Sequence, residues 1–425
     1  MLIDHGADIN AVDNSGNAVL HAAFKSFQPL NYDCIKMLID HGADVNVVDN
    51  SGNTVLHAAS KRVGGLNYDC IKMVIDHGAD INAVDYYGDT VLHTALKRFK
   101  DRNYDCIKML IGHGANINAV DNSGDTVLHA AFKRFEVTNH DCIKMLIDHG
   151  ADINAVDNSG GTVLHAAVKR FKDRNYNCIK MLIGHGANIN AVDNSGDTLL
   201  HAAIKRFKDR NYDCIKMLIG HGANINAVDN SGDTVLHAAI KRFKDRNYDC
   251  IKMLIGHGAN INAVDNSGDT VLHAAIKRFK DRNYDCIKML IGHGANINAV
   301  DNSGDTVLHA AIKRFKDRNY DCIKMLIDHG ADINAVDNSG DTVLHAAIKR
   351  FNDRNYDCIK MLIGHGANIN AVDNSGDTVL HAAFKRFEVT NHDCIKMLID
   401  HGADINAVDN SGSTVLHAAF KRFQR

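Results

Sequence analysis

The chain has 425 residues, of which 45% are apolar, and a formal net charge of −3 at pH 7. This composition excludes an intrinsically disordered chain, and so small a charge excludes a global field that recruits nucleic acid or a membrane surface. The longest apolar runs are about five residues, against the roughly 20 that cross a bilayer, so we expect no membrane span.

The first residues, MLIDHGADIN, include acidic and polar side chains from position 4, which does not fit a secretory signal peptide. The 11 cysteines are odd in number and evenly spread, which favours reduced thiols over a disulfide framework. We therefore expect a cytoplasmic protein, or one exported into a host cytoplasm without a conventional signal peptide.

A 36-residue period organises the sequence. A histidine recurs from His21 to His417 and a cysteine from Cys34 to Cys394, each in steps of 36 residues. Such periods are typical of stacked repeats, in which neighbouring units bury each other's apolar faces. The predicted units are a partial repeat at 1–12, full repeats at 13–48, 49–84, 85–120, 121–156, 157–192, 193–228, 229–264, 265–300, 301–336, 337–372 and 373–408, and a partial repeat at 409–425. The full repeats are numbered 1 to 11 in chain order.

Each repeat starts with a predicted first helix, TVLHAAIKRF in repeat 7. Thr234 is the predicted N-cap, and the preceding Asp233 suits the positive end of the helix. Apolar residues at helical spacing predict one buried face. These residues are Val235, Leu236, Ala239, Ile240 and Phe243.

A second helix is predicted from Tyr248 to His257. Asn247 is its predicted cap, and Gly258 is predicted to end it in the left-handed conformation. The buried face is predicted to comprise Tyr248, Ile251, Leu254 and Ile255, with Cys250 and Met253 beside it. The segment ANINAVDNSGD that follows is rich in turn formers around one short extended piece.

These motifs resemble the ankyrin repeat. The sequence DNSGDTVLHAA followed by an apolar helix and HGANINA is similar to that family's pattern D-x-x-G-x-T-P-L-H-x-A, and the likeness covers essentially the whole chain. Val235 stands where the family has proline, and the period is 36 residues rather than 33, with the extra residues between the two helices. The chain also begins and ends within a repeat, so we expect self-association through uncapped ends.

Two histidines and one cysteine recur in each repeat. The resemblance implies that His237 bonds Thr234 and backbone groups and links neighbouring repeats. His257 is predicted to meet the negative end of the second helix. Cys250 is predicted to be a buried thiol, too far from its neighbours for a disulfide because packed helices lie about 8–10 Å apart. A residue present in every repeat is a poor candidate for one catalytic or metal constellation, so we expect no enzyme activity, no metal and no cofactor.

A basic segment, KRFKDRN, follows the first helix in six repeats. Stacked copies predict a basic edge, to which repeat 7 contributes Lys241, Arg242, Lys244 and Arg246. Three interpretations stay open: solubility with cations at a helix C-terminus, an acidic protein partner, and nucleic acid. The only nearby aromatic residue, Phe243, is better used in packing, which disfavours nucleic acid.

Differences between repeats are concentrated near the start of the chain. The candidate partner-binding residues there are Phe27, Pro29, Tyr86, Tyr87 and Thr94. Segments 125–160 and 377–412 are identical, which indicates block duplication. Near-identical repeats present one weak site many times, and this favours a repetitive or multivalent partner.

We therefore expect an all-α ankyrin-repeat solenoid, with a helix-turn-helix and a β-hairpin-like arm in each repeat. The leading function is a non-enzymatic protein–protein interaction scaffold. Two alternatives stay open. One is binding of an anion, either nucleic acid or an acidic surface, along the basic edge. The other is a truncated product of repeat expansion without a dedicated function.

Overall fold

The computed structural model describes residues 2–26, 32–61, 67–97, 104–134, 140–169, 176–205, 212–242, 248–278, 284–314, 320–350, 356–386 and 392–423. Within these ranges the fold is helical, and strand pairing is limited to isolated antiparallel bridges in the hairpin arms. The described residues thus have the predicted pattern of two helices and one arm in each repeat.

Each repeat contributes a first and a second helix. The first helices are α1 (Val19–Ser26), α3 (Val55–Ser60), α5 (Val91–Lys97), α7 (Val127–Arg134), α9 (Val163–Lys169), α11 (Leu199–Lys205), α13 (Val235–Lys241), α15 (Val271–Lys277), α17 (Val307–Lys313), α19 (Val343–Lys349), α21 (Val379–Arg386) and α23 (Val415–Phe423). The second helices are α2 (Tyr32–Asp40), α4 (Asn67–Asp76), α6 (Tyr104–Gly112), α8 (His140–Asp148), α10 (Tyr176–Gly184), α12 (Tyr212–Gly220), α14 (Tyr248–Gly256), α16 (Tyr284–Gly292), α18 (Tyr320–Asp328), α20 (Tyr356–Gly364) and α22 (His392–Asp400). A short 3-10 helix, Ile3–His5, precedes them.

The first helix begins at a reciprocal cap. In α13, Thr234 Oγ1 accepts from the backbone N–H of His237, and the Thr234 N–H donates to His237 Nδ1, so two backbone donors at the helix start are satisfied. The predicted N-cap is therefore confirmed. The helix is shorter than predicted, because it ends at Lys241, and Phe243 lies outside the described residues.

The second helix ends as its sequence predicts. Gly258 has φ +88°, its N–H donates to the Ile255 carbonyl, and the Ala259 N–H donates to the Leu254 carbonyl. This is the Schellman arrangement, which closes the open carbonyls of the last turn and favours glycine at the left-handed position. The predicted cap Asn247 lies outside the described residues.

Residues Met1–Ala223 and Asn224–Arg425 form two compact units. Within the second unit, for example, α15 packs between α13 and α17, and α16 packs on α15. The core of each unit consists mainly of buried Val, Leu, Ile, Ala, Cys and Met side chains from both helices. Burying one Leu or Ile side chain stabilises the fold by about 1.5–3 kcal/mol, so stacking supplies what single helices lack.

Candidate functional site

The hairpin arm of each repeat is a rigid turn. In the arm before α15, Val264 pairs with Thr270, and Asp265 Oδ1 accepts from the N–H groups of Ser267 and Asp269 at 2.8 and 3.1 Å. Gly268, at φ +74°, completes the turn. An aspartate that bonds backbone two and four residues further on holds the loop in one conformation, so the arm presents its remaining side chains in fixed positions.

Asparagines connect each arm to the next. Asn262 Nδ2 donates to the Gly294 carbonyl at 3.1 Å, and Asn262 Oδ1 accepts from the Asn296 N–H at 2.7 Å. Nearer the tip, Asn302 Nδ2 donates to the Asn266 carbonyl at 3.0 Å. The amides of these exposed asparagines are therefore used between arms, and the same bonds recur along each unit.

A lysine at the end of the first helix joins carboxylates of two successive arms. Lys277 Nζ lies 2.6 Å from Asp269 and 3.1 Å from Asp301, and the Asp301 side chain is only 6% exposed. Burial raises the pKa of Asp301, but hydrogen bonds from Lys277, Ser303 and Asp305 outweigh it and hold that pKa below its usual value. Equivalent pairings occur at Lys97, Lys133, Lys241, Lys313 and Lys349.

The histidine of the first helix is structural. The His237 side chain is buried, its Nδ1 lies 2.9 Å from Thr234 Oγ1, and its Nε2 donates to the Asp269 carbonyl of the next arm at 3.1 Å. The implied link between repeats is thus confirmed. His257 was predicted to be the last residue of the second helix but directly follows it, since α14 ends at Gly256. Its Nδ1 bonds the Met253 carbonyl at 2.9 Å, as expected for a histidine at the negative end of a helix.

The cysteines lie in the core, as predicted. All 11 thiols are free, and nine of them are buried, whereas Cys34 and Cys106 are half-buried. Burial raises the pKa of Cys250 to about 12. Such thiols are not reactive at neutral pH, because the thiolate is the nucleophile.

Most of the first helices bury nearly all of their apolar side chains. In α13 the apolar residues from Val235 to Ile240 are at most 3% exposed, and the other first helices between α3 and α19 are buried in the same way. At the two ends of the array, Val19 in α1 and Leu416 and Phe420 in α23 are exposed.

Burial of the first helices corrects the prediction for Thr94, which lies in α5 and is 4% exposed. Its side chain faces the interior of the stack and is not available to a partner.

The exposed valines and tip residues of the arms form what we call the hairpin surface. It comprises one valine from each arm and the two residues at each tip, which are Asn and Ser in all arms but one. The valines are between 50% and 58% exposed: Val12, Val48, Val84, Val120, Val156 and Val192 in the first unit, and Val228, Val264, Val300, Val336, Val372 and Val408 in the second. The two aspartates of the arm before α15, Asp265 and Asp269, are buried, whereas the equivalent Asp13 of the first arm is exposed.

One tip is aromatic. Tyr86 and Tyr87 replace the usual Asn and Ser and are 69% and 71% exposed. The Tyr86 ring lies over Gly52 of the preceding arm, where a Cβ would be only 2.7 Å from it. Both backbone carbonyls of the pair accept hydrogen bonds from Asn122, so the tip is held firmly while both rings face water. The other candidates near the start of the chain, Phe27 and Pro29, lie outside the described residues.

The predicted basic edge is described only in part. Lys241 is bonded to Asp233 and Asp265 at 2.6 and 2.9 Å and is 27% exposed, so its charge is balanced within the arms. Arg242 is exposed at the end of α13, whereas Lys244 and Arg246 lie outside the described residues.

Arginines equivalent to Arg242 have a function that the sequence did not suggest. Arg314 and Arg350 donate to the carbonyls of Lys277 and Lys313, at the ends of the preceding first helices, at 3.1 and 2.9 Å. They cap open carbonyls in the last turn.

The described residues contain neither a metal site nor a membrane-spanning helix. No group of three or more His, Cys, Asp or Glu side chains there could hold a metal ion. None of the helices in the same ranges is long and apolar enough to cross a bilayer.

Paired helices, hairpin arms and ladders between arms define a stacked helical-repeat protein. The chain belongs to the ankyrin repeat family. The family model for ankyrin repeats (3 copies) matches residues 1–85, 31–121, 92–193, 134–229, 172–265, 200–301, 244–337, 272–373 and 344–424. The predicted family and fold class are thus confirmed.

Among solved structures, the chain is similar to the ankyrin repeat domain of Bcl-3, a unique member of the IkappaB protein family. The identity is 27%, the TM-score is 0.44, and the match covers 53% of this chain and 95% of that chain. No curated protein matches the sequence.

Proposed function

We propose that this protein is a non-enzymatic interaction scaffold that binds protein through the hairpin surface, with Tyr86 and Tyr87 as its specific anchor. Ankyrin repeats are generally protein-interaction modules. The single observation that carries the proposal is the tyrosine pair, about 70% exposed on a firmly held tip. Large aromatic side chains on a rigid backbone are typical energetic centres of protein interfaces.

The surroundings of the tip favour an apolar contact. Val84 is 55% exposed beside it, whereas Asp85 and Asp89 are buried and Lys97 is bonded to Asp89. A partner therefore meets aromatic and aliphatic groups at the tip, and the exposed charge of this arm is the carboxylate of Asp80, four residues before Val84. Binding of this kind depends weakly on ionic strength.

The valines support a second, weaker mode. One half-exposed valine recurs in every arm, so a partner with a repeated apolar group can contact several arms at once. Each contact alone is small, and avidity supplies the affinity. The anchor and the valine row together favour a partner with one specific contact and an adjoining repetitive segment.

The pairing of the lysines argues against anion binding at the described part of the basic edge. Lys241, Lys277, Lys313 and Lys349 each contact two carboxylates. A phosphate would have to displace those partners, at the cost of leaving largely buried carboxylates without a counter-ion.

The test is a pull-down with the full chain as bait, with nuclease, at 0.1 and about 0.5 M salt, read by mass spectrometry. The double variant Tyr86→Asn, Tyr87→Ser gives the tip the sequence found in the other arms, so it should fold normally. We expect proteins retained by the wild type at both salt concentrations and lost from the variant, since a central tyrosine contributes about 2 kcal/mol or more.

A matched control transfers the tyrosine pair to another arm. Asn194→Tyr, Ser195→Tyr introduces the pair into repeat 6 of the double variant, where both positions are exposed. Recovery of the same protein would show that the tyrosines are sufficient on any arm, and failure would show that neighbours of repeat 3 contribute. Retention that is unchanged by the tip variant and abolished by salt or nuclease contradicts the proposal and favours the basic edge.

A further inference from the structure

The hairpin arms differ in charge along the chain. One position, four residues before the exposed valine, is an exposed aspartate in the arms before α1, α3 and α5 and an exposed asparagine in the arms before α13, α15 and α17. These residues are Asp8, Asp44 and Asp80 in the first set and Asn224, Asn260 and Asn296 in the second. We call the three aspartates the acidic row, and the arm with the tyrosine pair contributes Asp80 to it.

The acidic row is held by bonds between successive arms. The Asp44 N–H donates to Asn10 Oδ1 at 2.8 Å, and the Asp80 N–H donates to Asn46 Oδ1 at 2.7 Å. Asp80 Oδ1 accepts from the Asn82 N–H at 2.9 Å, whereas its Oδ2 makes no hydrogen bond to the described residues. The other two aspartates of the row make the same bond through Oδ1. The backbone of the row is therefore fixed, and each carboxylate keeps one oxygen for a partner.

Lysines near the acidic row have other partners. The arms before α1, α3 and α5 contain no Lys or Arg. Lys97, at the end of α5, is bonded to Asp89 and Asp121. In the second helices, Lys36 and Lys72 each pair with the aspartate one turn further on. No lysine or arginine in the described ranges forms an ion pair with the acidic row, so these residues do not neutralise its charge.

The tyrosine rings attract the same sign of charge. The Tyr86 ring lies over Gly52 on one side, and most of both rings is open to solvent. The face of an aromatic ring carries partial negative charge and binds the cation of lysine or arginine, more often that of arginine. Rings and carboxylates on neighbouring arms thus favour a positively charged partner.

We propose that the tyrosine pair and the acidic row bind a basic, extended segment of a partner protein, with one arginine on the rings and a second cation at Asp80. The inference rests on the proposed function, because it names the chemistry of the partner that meets the same anchor. Tyr86 is six residues from Asp80, so at most about 20 Å of chain separates the two contacts. An extended segment of about seven residues spans that distance.

Arginine fits both contacts. Its planar guanidinium stacks on an aromatic face and donates two parallel bonds to a carboxylate, whereas the compact lysine ammonium is more strongly hydrated. A segment rich in Asp or Glu would meet like charges at Asp44 and Asp80, which excludes it from this part of the hairpin surface. The arms before α13, α15 and α17 lack both the rings and the exposed carboxylates, so they should not distinguish a basic from a neutral segment.

The first test uses a defined probe. A fluorescein-labelled peptide of about ten residues that alternates arginine and glycine is titrated with the full chain at 0.1 M salt, and the fluorescence anisotropy is measured. We expect saturable binding, an affinity at least about tenfold lower with glutamine in place of arginine, and an intermediate affinity with lysine. At about 0.5 M salt the affinity should fall only a few-fold, because stacking on the rings persists while the carboxylates are screened. Equal affinities of the arginine and glutamine peptides overturn the inference.

The second test locates the contact. Asp8→Asn, Asp44→Asn and Asp80→Asn together introduce the residue found in the arms before α13, α15 and α17. The arm before α7 shows that asparagine keeps the turn, because Asn116 Oδ1 accepts from the Asn118 N–H at 3.0 Å. This triple variant should bind the arginine peptide about three- to tenfold more weakly. The double variant Tyr86→Asn, Tyr87→Ser should bind it about tenfold more weakly.

A matched control makes the same change of charge elsewhere. Asp249→Asn, Asp285→Asn and Asp321→Asn remove three exposed carboxylates from the starts of second helices and should change the affinity less than about twofold. Equal losses in the two triple variants, or an unchanged affinity in the tyrosine variant, overturn the inference, because the peptide would then be attracted by charge in general.

The outcomes also separate this inference from the proposed function. If the peptides bind without preference while the tyrosine variant still loses proteins in the pull-down, the hairpin surface binds protein but not through a basic segment. If the tyrosine variant loses neither the peptide nor any protein, both proposals are wrong.

Discussion

Repeat 1 and repeat 8 have the same helices and the same arm. They differ in the cap of the first helix, in the Nδ1 contact of its histidine and in the contacts of its lysine. In repeat 8, Thr270 caps α15 and bonds His273. In repeat 1 the equivalent residue is Ala18, and Nδ1 of the buried His21 has no hydrogen-bond partner among the described residues. Nε2 of His21 nevertheless bonds the Asn53 carbonyl at 2.9 Å.

The two nitrogens therefore have separable tasks. Nδ1 takes part in the local helix cap, and repeat 1 lacks this cap. Nε2 makes the link to the next repeat, and repeat 1 retains this link. The lysine contacts differ as well, because Lys277 joins two carboxylates and Lys25 contacts Asn17 and Asp49. Repeat 1 thus retains the stacking interaction while its local interactions are weaker.

The largest effect is expected from removing the imidazole. His273→Leu should lower the local free energy of unfolding by about 3 kcal/mol, because the cap and the link to the Asp305 carbonyl are both lost. His21→Leu should cost about 1 kcal/mol less, since its Nδ1 is already unpaired. Native-state hydrogen exchange of the two repeats in the full chain measures both, and equal losses would show that the cap contributes nothing.

Removing the lysine should have the next largest effect. Lys277→Met leaves Asp269 and Asp301 without their cation and should cost about 2 kcal/mol at pH 7. Lys25→Met should cost less than about 1 kcal/mol, because the Lys25 side chain is 43% exposed and one partner is neutral.

The stabilisation by the ion pair of Lys277 and Asp301 should depend on pH. The pKa of Asp301 is lowered in the folded chain, so its contribution is present above about pH 4 and is lost as the pH falls through the folded pKa. The free energy of unfolding, measured by urea titration, should therefore fall less between pH 5 and 2.5 in the Lys277→Met variant than in the wild type. A variant as pH-sensitive as the wild type would mean that Lys277 does not set the pKa.

Exchanging the cap residues of the two repeats should change the local free energy of unfolding by about 1 kcal/mol, with opposite signs in repeats 1 and 8. Ala18→Thr supplies the missing partner of His21 and should stabilise repeat 1, whereas Thr270→Ala should destabilise repeat 8. Hydrogen exchange of α1 and α15 is the measurement. A destabilising Ala18→Thr would indicate that the first arm has no room for the added atoms.

The smallest effect concerns the end of the second helix. Gly292 ends α16 with open space around its Cα, so Gly292→Ala should stabilise the helix by about 0.5–1 kcal/mol. Asp40→Gly in repeat 1 should destabilise its second helix by a similar amount, and it also removes the ion pair with Lys36 at 2.6 Å. Gly294→Ala is the control expected to destabilise, because Gly294 has φ +88°. The helical content measured by circular dichroism and the melting temperature should follow this order.

Local features were predictable from the sequence. The cap at Thr234 and the left-handed Gly258 depend on residues close together in the chain, where capping rules apply. The buried face of the second helix was predicted only in part: Ile251 and Leu254 are buried, but Tyr248 and Ile255 are half-buried. Cys250 and Met253, predicted to lie beside that face, belong to it. The family motif added the link made by His237.

Contacts that arise from stacking were not predictable. Lys241 meets Asp265, 24 residues away, and Arg314 meets a carbonyl 37 residues back, so neither contact has a local signal. Both cations were assigned to an open basic edge because charge alone does not reveal which carboxylates and carbonyls the fold brings near. Thr94 was misplaced for the same reason, since stacking decides which face of α5 is covered.

The cysteine of each repeat gives the array its own set of reporters. Most of these thiols are buried in second helices with a pKa near 12, as at Cys142, Cys214 and Cys322. A thiol reagent at neutral pH therefore labels each of the nine buried positions only when its own helix has opened. Mass spectrometry of a timed labelling series would give the order in which those repeats come apart, with no engineered residue.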